Sequence, residues 1–551
     1  MREKLIWDTT IDPIEYPSQI KDKFFELSIR HRKNFVDWIG KVSDNFIYDY
    51  LWWIKLPSSR DPYKSNLFKN IIILFILRDK RLLNKIDTII LENKLVFKSI
   101  YKDNKIDLKK VKVKFKKKKY FNKLIKSIIF SFVNFLVIKI ITKKTKFSQK
   151  NYVLVNTVLN TKNEIEDYVF PGLYKILDQK KKKHVLFVPS FLVHGKLINN
   201  YKNIRILSKQ RYLFPEKWIS FYEFFKYLFK HLFYNRLNIH EKKFEKFFSF
   251  NCSLLILSDF NSKIDFYSEF QSIMKINFIK KLKKFDLKVV KTISRFENQS
   301  IDRSWFYGFR NYFPTAKNLG FQGFLYYPQL LNQSPTIYEN KAKVIPNLLL
   351  VPNNSIFKHR KEFFKKINLK IGPSFKKFDL KKKYKLKKIY KFTVALCGIY
   401  SLDKNIILWV VFSLLRNKNI KVIIKPHPIL PIQKLLNLIP KKLLPQISFS
   451  DDSSSNILEK TQFLISSGPT SIIFESLLYN CKLLYLNLDP NDYFIYKKKL
   501  IKKENFEFVK NKNSLLKLMN KFNNFSIIKT RRNNTNLLYS KLSNKNTKFF
   551  Y

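Results

Sequence analysis

From about residue 150 onward the chain alternates short β-branched or aromatic runs with longer helix-patterned stretches, and this rhythm constrains the fold more than any other feature of its 551 residues. Strands separated by helices run parallel, and a parallel sheet needs helices on both faces, so the pattern implies doubly wound α/β layers. In the first half, strands are expected at 152–158, 184–193, 253–259, 288–297, 318–324 and 347–351, with helices over 219–232 and 301–312. A lysine-dense stretch at 374–391 lacks an apolar stripe and reads as a linker. A second unit follows, with strands at 392–396, 421–425, 447–449, 463–466 and 483–486 and helices near 403–416 and 470–479. The expected division is an N-terminal Rossmann-like domain over 1–373, the linker 374–391, a C-terminal Rossmann-like domain over 392–500, and a helix with a polar tail over 501–551. That last helix is expected to return against the first domain. Residues 87–101 are expected to supply that domain's first strand and helix.

Charge bears on partners. The formal net charge is +66, a magnitude that suits nucleic acid or an anionic membrane. Only 16 of the 107 basic residues are arginine, however, and the lysines are spread along the chain with abundant Ile, Asn, Phe and Tyr, the residue set of AT-rich codons. Readers of nucleic acid favour arginine for bidentate contacts, so no nucleic-acid partner is expected. Three cysteines stand far apart beside apolar runs, which suggests buried thiols in a reducing compartment. The N-terminal segment carries early acids and a proline in place of an apolar signal core, and a cytoplasmic location is expected.

Residues 111–146 form a basic and apolar insertion. The uncharged stretch 127–138 is 12 residues, short of the roughly 20 that a membrane span needs. Flanked by Lys116, Lys119, Lys139, Lys143 and Lys144, it reads either as an interfacial helix on an anionic membrane or as a core helix of the first domain.

Two segments carry chemistry. Val422 to Lys425 is an apolar run that ends at Pro426-His427-Pro428, placing a proline-braced imidazole just past the carboxyl end of a parallel strand, where open α/β sheets bind ligands. Such an imidazole can donate to a phosphate oxygen or deliver a proton; it can also be a loop histidine that merely tops the sheet. Further on, a strand runs into Ser466-Ser467-Gly468-Pro469-Thr470-Ser471 and then a helix containing Glu475. A hydroxyl-rich glycine turn before a helix can hold an anion, with Glu475, four residues from Ser471, reaching ribose hydroxyls; an ordinary helix cap gives the same pattern. The two loops are expected to converge from adjacent strands on one anionic group. The chain has only nine glycines, and five of them, Gly308, Gly320, Gly323, Gly398 and Gly468, lie in or near these segments and the acceptor segment described below, as expected where the backbone needs positive φ or a close approach.

Lys425-Pro426-His427-Pro428 followed by Ser466-Ser467-Gly468 and Glu475 resembles the HP and Ser/Thr-pair motifs of bacterial surface-carbohydrate glycosyltransferases, including polysialyltransferases and capsule Kdo-transferases. The resemblance implies a GT-B fold of two Rossmann-like domains facing across a cleft. It also implies a second domain binding a nucleotide sugar, commonly CMP-linked, with His427 on the donor phosphate and Ser466 and Ser467 as further phosphate ligands. Lys425, Gly468, Thr470, Ser471 and Glu475 complete the expected donor site. A weaker resemblance covers Arg295-Phe296-Glu297-Asn298-Gln299, Trp305, and Gly320-Phe321-Gln322-Gly323 in the first domain, although relatives often carry histidine where Gly323 stands.

An acceptor hydroxyl must lose a proton as it attacks the anomeric carbon. Glu297 and Asp259 both end expected strands, and Glu297 is preferred as the base because Asn298 and Gln299 could bind sugar hydroxyls beside it. The acidic base motif of sialyltransferase relatives is absent. No metal-ligand spacing, strand-end Asp-x-Asp or phosphate-binding P-loop occurs, so neither a metal nor another cofactor is expected. The expected partners are a nucleotide sugar, a glycan or lipid-linked acceptor, and an anionic membrane surface. Two alternatives stay open: a CDP-polyol phosphotransferase of teichoic-acid type, and an inactive GT-B-shaped protein that binds glycan or scaffolds an assembly.

Overall fold

A computed structural model describes residues 5–103, 106–109, 111–116, 120–144, 147, 151–159, 170, 184–191, 201, 204–205, 211–233, 246–285, 287–323, 330–352, 354–372, 388–488 and 505–524. Three parallel sheets organise them. The first has three strands in the order β1 (Leu5–Asp8), β2 (Ile86–Leu91), β3 (Lys112–Phe115). The second contains β4 (Asn151–Leu159), β5 (Val185–Phe191), β6 (Lys288–Arg295), β7 (Lys317–Phe321), β8 (Leu348–Val351) and β9 (Leu369–Ile371), ordered β5-β4-β6-β7-β8-β9. The third contains β10 (Tyr390–Ala395), β11 (Val422–Lys425), β12 (Ile447–Phe449), β13 (Thr461–Ser466), β14 (Lys482–Leu486) and β15 (Phe506–Val509), ordered β12-β11-β10-β13-β14-β15.

Taken in chain order, the third sheet reads 3-2-1-4-5-6, the doubly wound Rossmann arrangement. Once a parallel bridge between Phe187 and Tyr212 is included, which places a rudimentary third strand outside β5, the second reads 3-2-1-4-5-6-7, the same order extended by β9 at its edge. The protein therefore has two Rossmann-like domains, the pair of doubly wound units expected from the sequence. Its central strands are near-continuous apolar runs because helices cover both faces: in β13 and β14 nearly every residue is buried.

The helices used below are α1 (Ser18–Asp44), α2 (Leu67–Arg78), α3 (Tyr120–Ile141), α4 (Phe221–Phe233), α5 (Phe266–Leu282), α6 (Ser300–Tyr312), α7 (Tyr400–Leu414), α8 (Ile472–Leu478) and α9 (Lys512–Asn523). Two differences from the sequence reading concern helices. Residues 253–259, expected as a strand, form the helix Ser253–Phe260. A short apolar run has no periodicity of its own, and here its Leu255, Ile256 and Leu257 are buried against neighbouring helices. The C-terminal helix α9 packs on the second domain instead of the first, with Leu515, Met519 and Phe522 in that domain's core and Phe522 stacked on Phe463 at 4.5 Å.

Residues 87–101 do form a strand and a helix, but the strand belongs to the separate N-terminal sheet. The unit carrying that sheet is riveted to the first Rossmann domain by buried charge. Lys55 donates to Glu269 at 2.7 Å with both side chains inaccessible. Arg60, at φ 57°, reaches Glu339 at 2.7 Å. The same unit touches the second domain, where Ser401 donates to Asp12 at 2.8 Å and Lys404 to Glu15 at 2.9 Å. Of the expected linker 374–391, residues 374–387 lie outside the described residues, as does the tail beyond 524; Tyr390 and Lys391 already belong to β10.

Candidate functional site

The carboxyl end of β10 is the centre of the second domain's site, because the strand order reverses between β10 and β13 and leaves a crevice there. β10 leads into Cys397 and Gly398, whose backbone N–H groups donate to the Asp403 carboxylate at 2.7 and 2.9 Å. Asp403 lies in the first turn of α7 and fixes the strand-to-helix turn. Gly398 has φ 85°, and a Cβ there would stand 2.4 Å from Nδ1 of His427. Only glycine meets both conditions.

His427 follows β11, which pairs with β10 on one side, while the Ser466–Gly468 turn follows β13, which pairs with it on the other. The loops thus emerge at the same end of the sheet with β10 between them, one strand further apart than adjacent strands would be. Nδ1 of His427 accepts the Ile429 N–H at 3.3 Å, which leaves the proton on Nε2. Burial, then the Lys425 charge, lowers the imidazole pKa, so at neutral pH the ring is an uncharged donor. Lys425 donates to the Asp452 carbonyl, and its own pKa is lowered by burial against the opposing pull of Asp451, Asp452 and Glu475.

Ser466 and Ser467 are fully buried. Ser466 Oγ donates to the Ala395 carbonyl and Ser467 Oγ to that of Leu486, each at 2.8 Å. As placed, neither hydroxyl proton is available to a phosphate; each pins the end of β13 to a neighbouring strand. Gly468 turns the chain at φ 76°, where a Cβ would meet Leu402 at 2.7 Å and Cys397 Sγ at 3.2 Å. The Thr470 N–H donates to the Gly468 carbonyl, and Ser471 Oγ donates to Glu475 Oε1 at 2.9 Å. Glu475 and Ser471 therefore form one polar pair at the start of α8, with Glu475 inside the field of Lys425.

In the first domain Glu297 stands just past β6 with its side chain 16% exposed, and its Oε1 lies 3.5 Å from Arg295 Nη1. Burial raises its pKa to about 7; Arg295 opposes the rise, and the negative charges of Asp302 and Asp61 add to it. A carboxylate poised there can take a proton near neutral pH. Its expected neighbours have other tasks. Asn298, in the left-handed region at φ 59°, is buried, donating to the Asn332 carbonyl and to Glu339 and accepting from Arg303 at 2.8 Å. Gln299 caps α6 in a reciprocal box with Asp302. Gln322 is likewise buried, bonded to Arg360 and to the Gln333 carbonyl. Asp259 lies in a helix and accepts from Ser65 Oγ and the Asn66 N–H at the start of α2, which gives it a structural role despite a pKa pushed to about 7 by burial.

The turn at Cys397–Gly398 with Asp403 was not read as part of the site from sequence. The available signal was a glycine kept after an apolar run in a glycine-poor chain, with an acid five residues on. Asp61 and Lys64, which act on Glu297 through their charges, had no such signal, being more than 230 residues away in sequence. Among the described residues no group of three or more His, Cys, Asp or Glu side chains is placed to hold a metal ion, and the three cysteines are buried and free.

No known family matches this chain, and no curated protein does. Solved structures do. The crystal structure of TarM is 11% identical with a TM-score of 0.33, over 49% of this chain and 53% of that one. The structure of S. aureus MnaA with UDP is 8% identical with a TM-score of 0.38, over 68% and 88%. That of Acinetobacter baumannii MurG is 9% identical with a TM-score of 0.33, over 68% and 91%. This chain spans about half the length of TarM. At identities this low, the fold assignment rests on the strand order itself.

Proposed function

We propose that this chain is a metal-independent glycosyltransferase that moves a sugar from a nucleotide-activated donor, CMP-linked, onto a surface polysaccharide or lipid-linked glycan. The observation that carries the reading is the His427 imidazole, held by the Ile429 N–H in its Nε2–H form beside Gly398 at the point where the strand order reverses. The donor's phosphate would sit against Nε2–H, the Lys425 ammonium and the turn at Gly468. Thr470, Ser471 and Glu475 would lie towards the ribose. In this reading Ser466 and Ser467 serve by holding that turn in place.

In the reaction the acceptor oxygen bonds to the anomeric carbon as the bond from that carbon to the phosphate oxygen breaks. The acceptor proton passes to Glu297, and the nucleotide leaves with its new charge stabilised by the His427 donor and Lys425. Domain closure would bring Glu297 to the donor and exclude water, which competes as an acceptor. The enzyme would work in the cytoplasm, peripherally on the inner face of the membrane where lipid-linked acceptors are reached.

The test is a thermal-shift panel of CMP, CDP, UDP and GDP followed by turnover of the corresponding sugars. CMP should stabilise the wild type and not His427→Ala, and CMP-sugar turnover should fall in the same variant. Stabilisation by none of the four, or unchanged turnover in His427→Ala, overturns the reading. A product carrying a polyol phosphate would identify a phosphotransferase instead.

A further inference from the structure

The insertion read from sequence as a single apolar stretch is, in the fold, half of a two-helix surface. α3 contains an apolar part, Asn122–Ile141, with mean hydropathy 2.1, long enough by length and composition to cross a membrane. It does not stand free of the protein: Ser131, Asn134, Phe135 and Ile138 are buried, and the Lys217 ammonium donates to the Lys139 carbonyl. To span a bilayer the helix would have to leave these contacts. Its opposite face is bare, with Ile125, Ile129, Val133 and Ile140 exposed, Ile140 at 76%. At about 100° per residue these four fall within one narrow sector of the helix.

α4 packs beside α3, Phe135 lying 4.4 Å from Phe224 and Phe132 5.6 Å from Phe225. It continues the bare face. Phe221, Phe225, Phe229 and Phe233 recur every four residues and are all exposed, Phe233 at 67%, with Tyr222 beside them at 74%. Soluble surfaces rarely leave so many large aromatics together in water. Around this patch stand the exposed Lys123, Lys126, Lys143, Lys144, Lys226 and Lys230. α3 has no acidic residue, and the one acid of α4, Glu223, is bonded to Lys281.

We infer that α3 and α4 together form a docking face for an anionic lipid bilayer, lying flat with their aromatic and aliphatic side chains at the acyl boundary and their lysines on the headgroups. Charge selects the occupant: a second copy would bring one rim of lysines against another, whereas an anionic bilayer neutralises it. The inference rests on the peripheral placement proposed above and adds α4, which carries most of the exposed aromatic area. It makes lipid contact a property of the fold and independent of the donor site.

The test is co-sedimentation of the full chain with vesicles of phosphatidylcholine alone and of equal parts phosphatidylcholine and phosphatidylglycerol. Binding only to the anionic vesicles is expected. Phe229→Ser/Phe233→Ser should bind at least about ten-fold more weakly, from the apolar area removed alone. Lys226→Glu/Lys230→Glu should do likewise, each lysine near an anionic surface contributing about a five-fold gain. Both pairs are exposed, so the variants should keep the wild-type Tm and its shift with nucleotide, which separates failure of this inference from failure of the proposed activity. No binding by the wild type, or equal binding by the variants, overturns the inference. So does a lipid-free dimer that the phenylalanine variant dissolves, because the face is then a contact between copies.

Discussion

At the scale of single residues, the site depends on conformations that few side chains can adopt. Gly398→Ala would put a methyl group 2.4 Å from the His427 ring at a φ of 85°. Such strain costs on the order of 1–3 kcal/mol, and relieving it moves the imidazole. The expected outcome is a lower Tm together with loss of the nucleotide-induced shift, while Gly323→Ala, where a Cβ meets nothing within 4 Å, leaves both unchanged. Glu297 gives a pH signature. Its folded-state pKa of about 7 lies above the ordinary 4.5, so the folded protein keeps a proton that the unfolded chain releases between pH 4.5 and 7. Its burial therefore costs nothing below the unfolded value, and the cost grows to its full size as pH rises through about 7. Glu297→Gln should accordingly stabilise the protein by roughly 1–3 kcal/mol at pH 8 and leave stability at pH 4 unchanged, as denaturant titrations at the two pH values would read. The same substitution should abolish transfer, and the wild-type kcat/KM should climb to a plateau above pH 7. His427 was legible in the sequence because two prolines and an apolar strand announce its position. The role given to Asn298 was not, because its distant partners Asn332 and Glu339 decide which way its amide points.

At the scale of elements, β13 is held at its end by two buried serines that bond sideways to β10 and β14. Ser467→Ala removes a buried hydroxyl from the Leu486 carbonyl and should cost about 1 kcal/mol, seen as a lower denaturation midpoint. Saturating CMP should then shift its Tm by the wild-type amount; a loss of nucleotide affinity beyond ten-fold would restore the serine as a direct ligand. The first five strands of the second domain could be placed from sequence because apolar runs end sharply at polar turns; β15, its apolar residues interrupted by Glu507, could not. Residues 253–259 could not, since an apolar run of that length suits a buried strand or a buried helix equally, and packing alone chose.

At the scale of the whole molecule, the N-terminal unit is joined to the first Rossmann-like domain through buried charge and to the second through part-exposed polar contacts. Lys55 and Glu269 lie 2.7 Å apart in the seam between the N-terminal unit and α5, and the buried His231 sits 3.2 Å from the same carboxylate. Burial outweighs the attraction of Glu269 and holds the His231 imidazole at about 4, so the pair faces an uncharged ring at neutral pH. Lys55→Met would strand a carboxylate whose pKa the lysine helps to lower to about 2, and should cost about 3–5 kcal/mol. Lys55→Met/Glu269→Gln should recover part of that loss, since no unpaired charge is then buried; chemical denaturation of both variants checks the pair. The N-terminal unit also bonds to α7 through Asp12 and Glu15, so it touches both Rossmann-like domains.

Local pattern was enough to fix the α/β class, five of the second domain's six strands, and the two loops that flank its site, because these follow from local alternation and from proline and glycine at fixed places; β15 (Phe506–Val509) lies where a helix and tail were expected and took its place by pairing with β14. Tertiary structure alone decided which strands are neighbours, that residues 5–116 carry their own sheet, that the Ser466 and Ser467 hydroxyls face inward, and that α4 extends the bare face of α3. Those facts depend on contacts between residues tens to hundreds of positions apart, which no local pattern encodes.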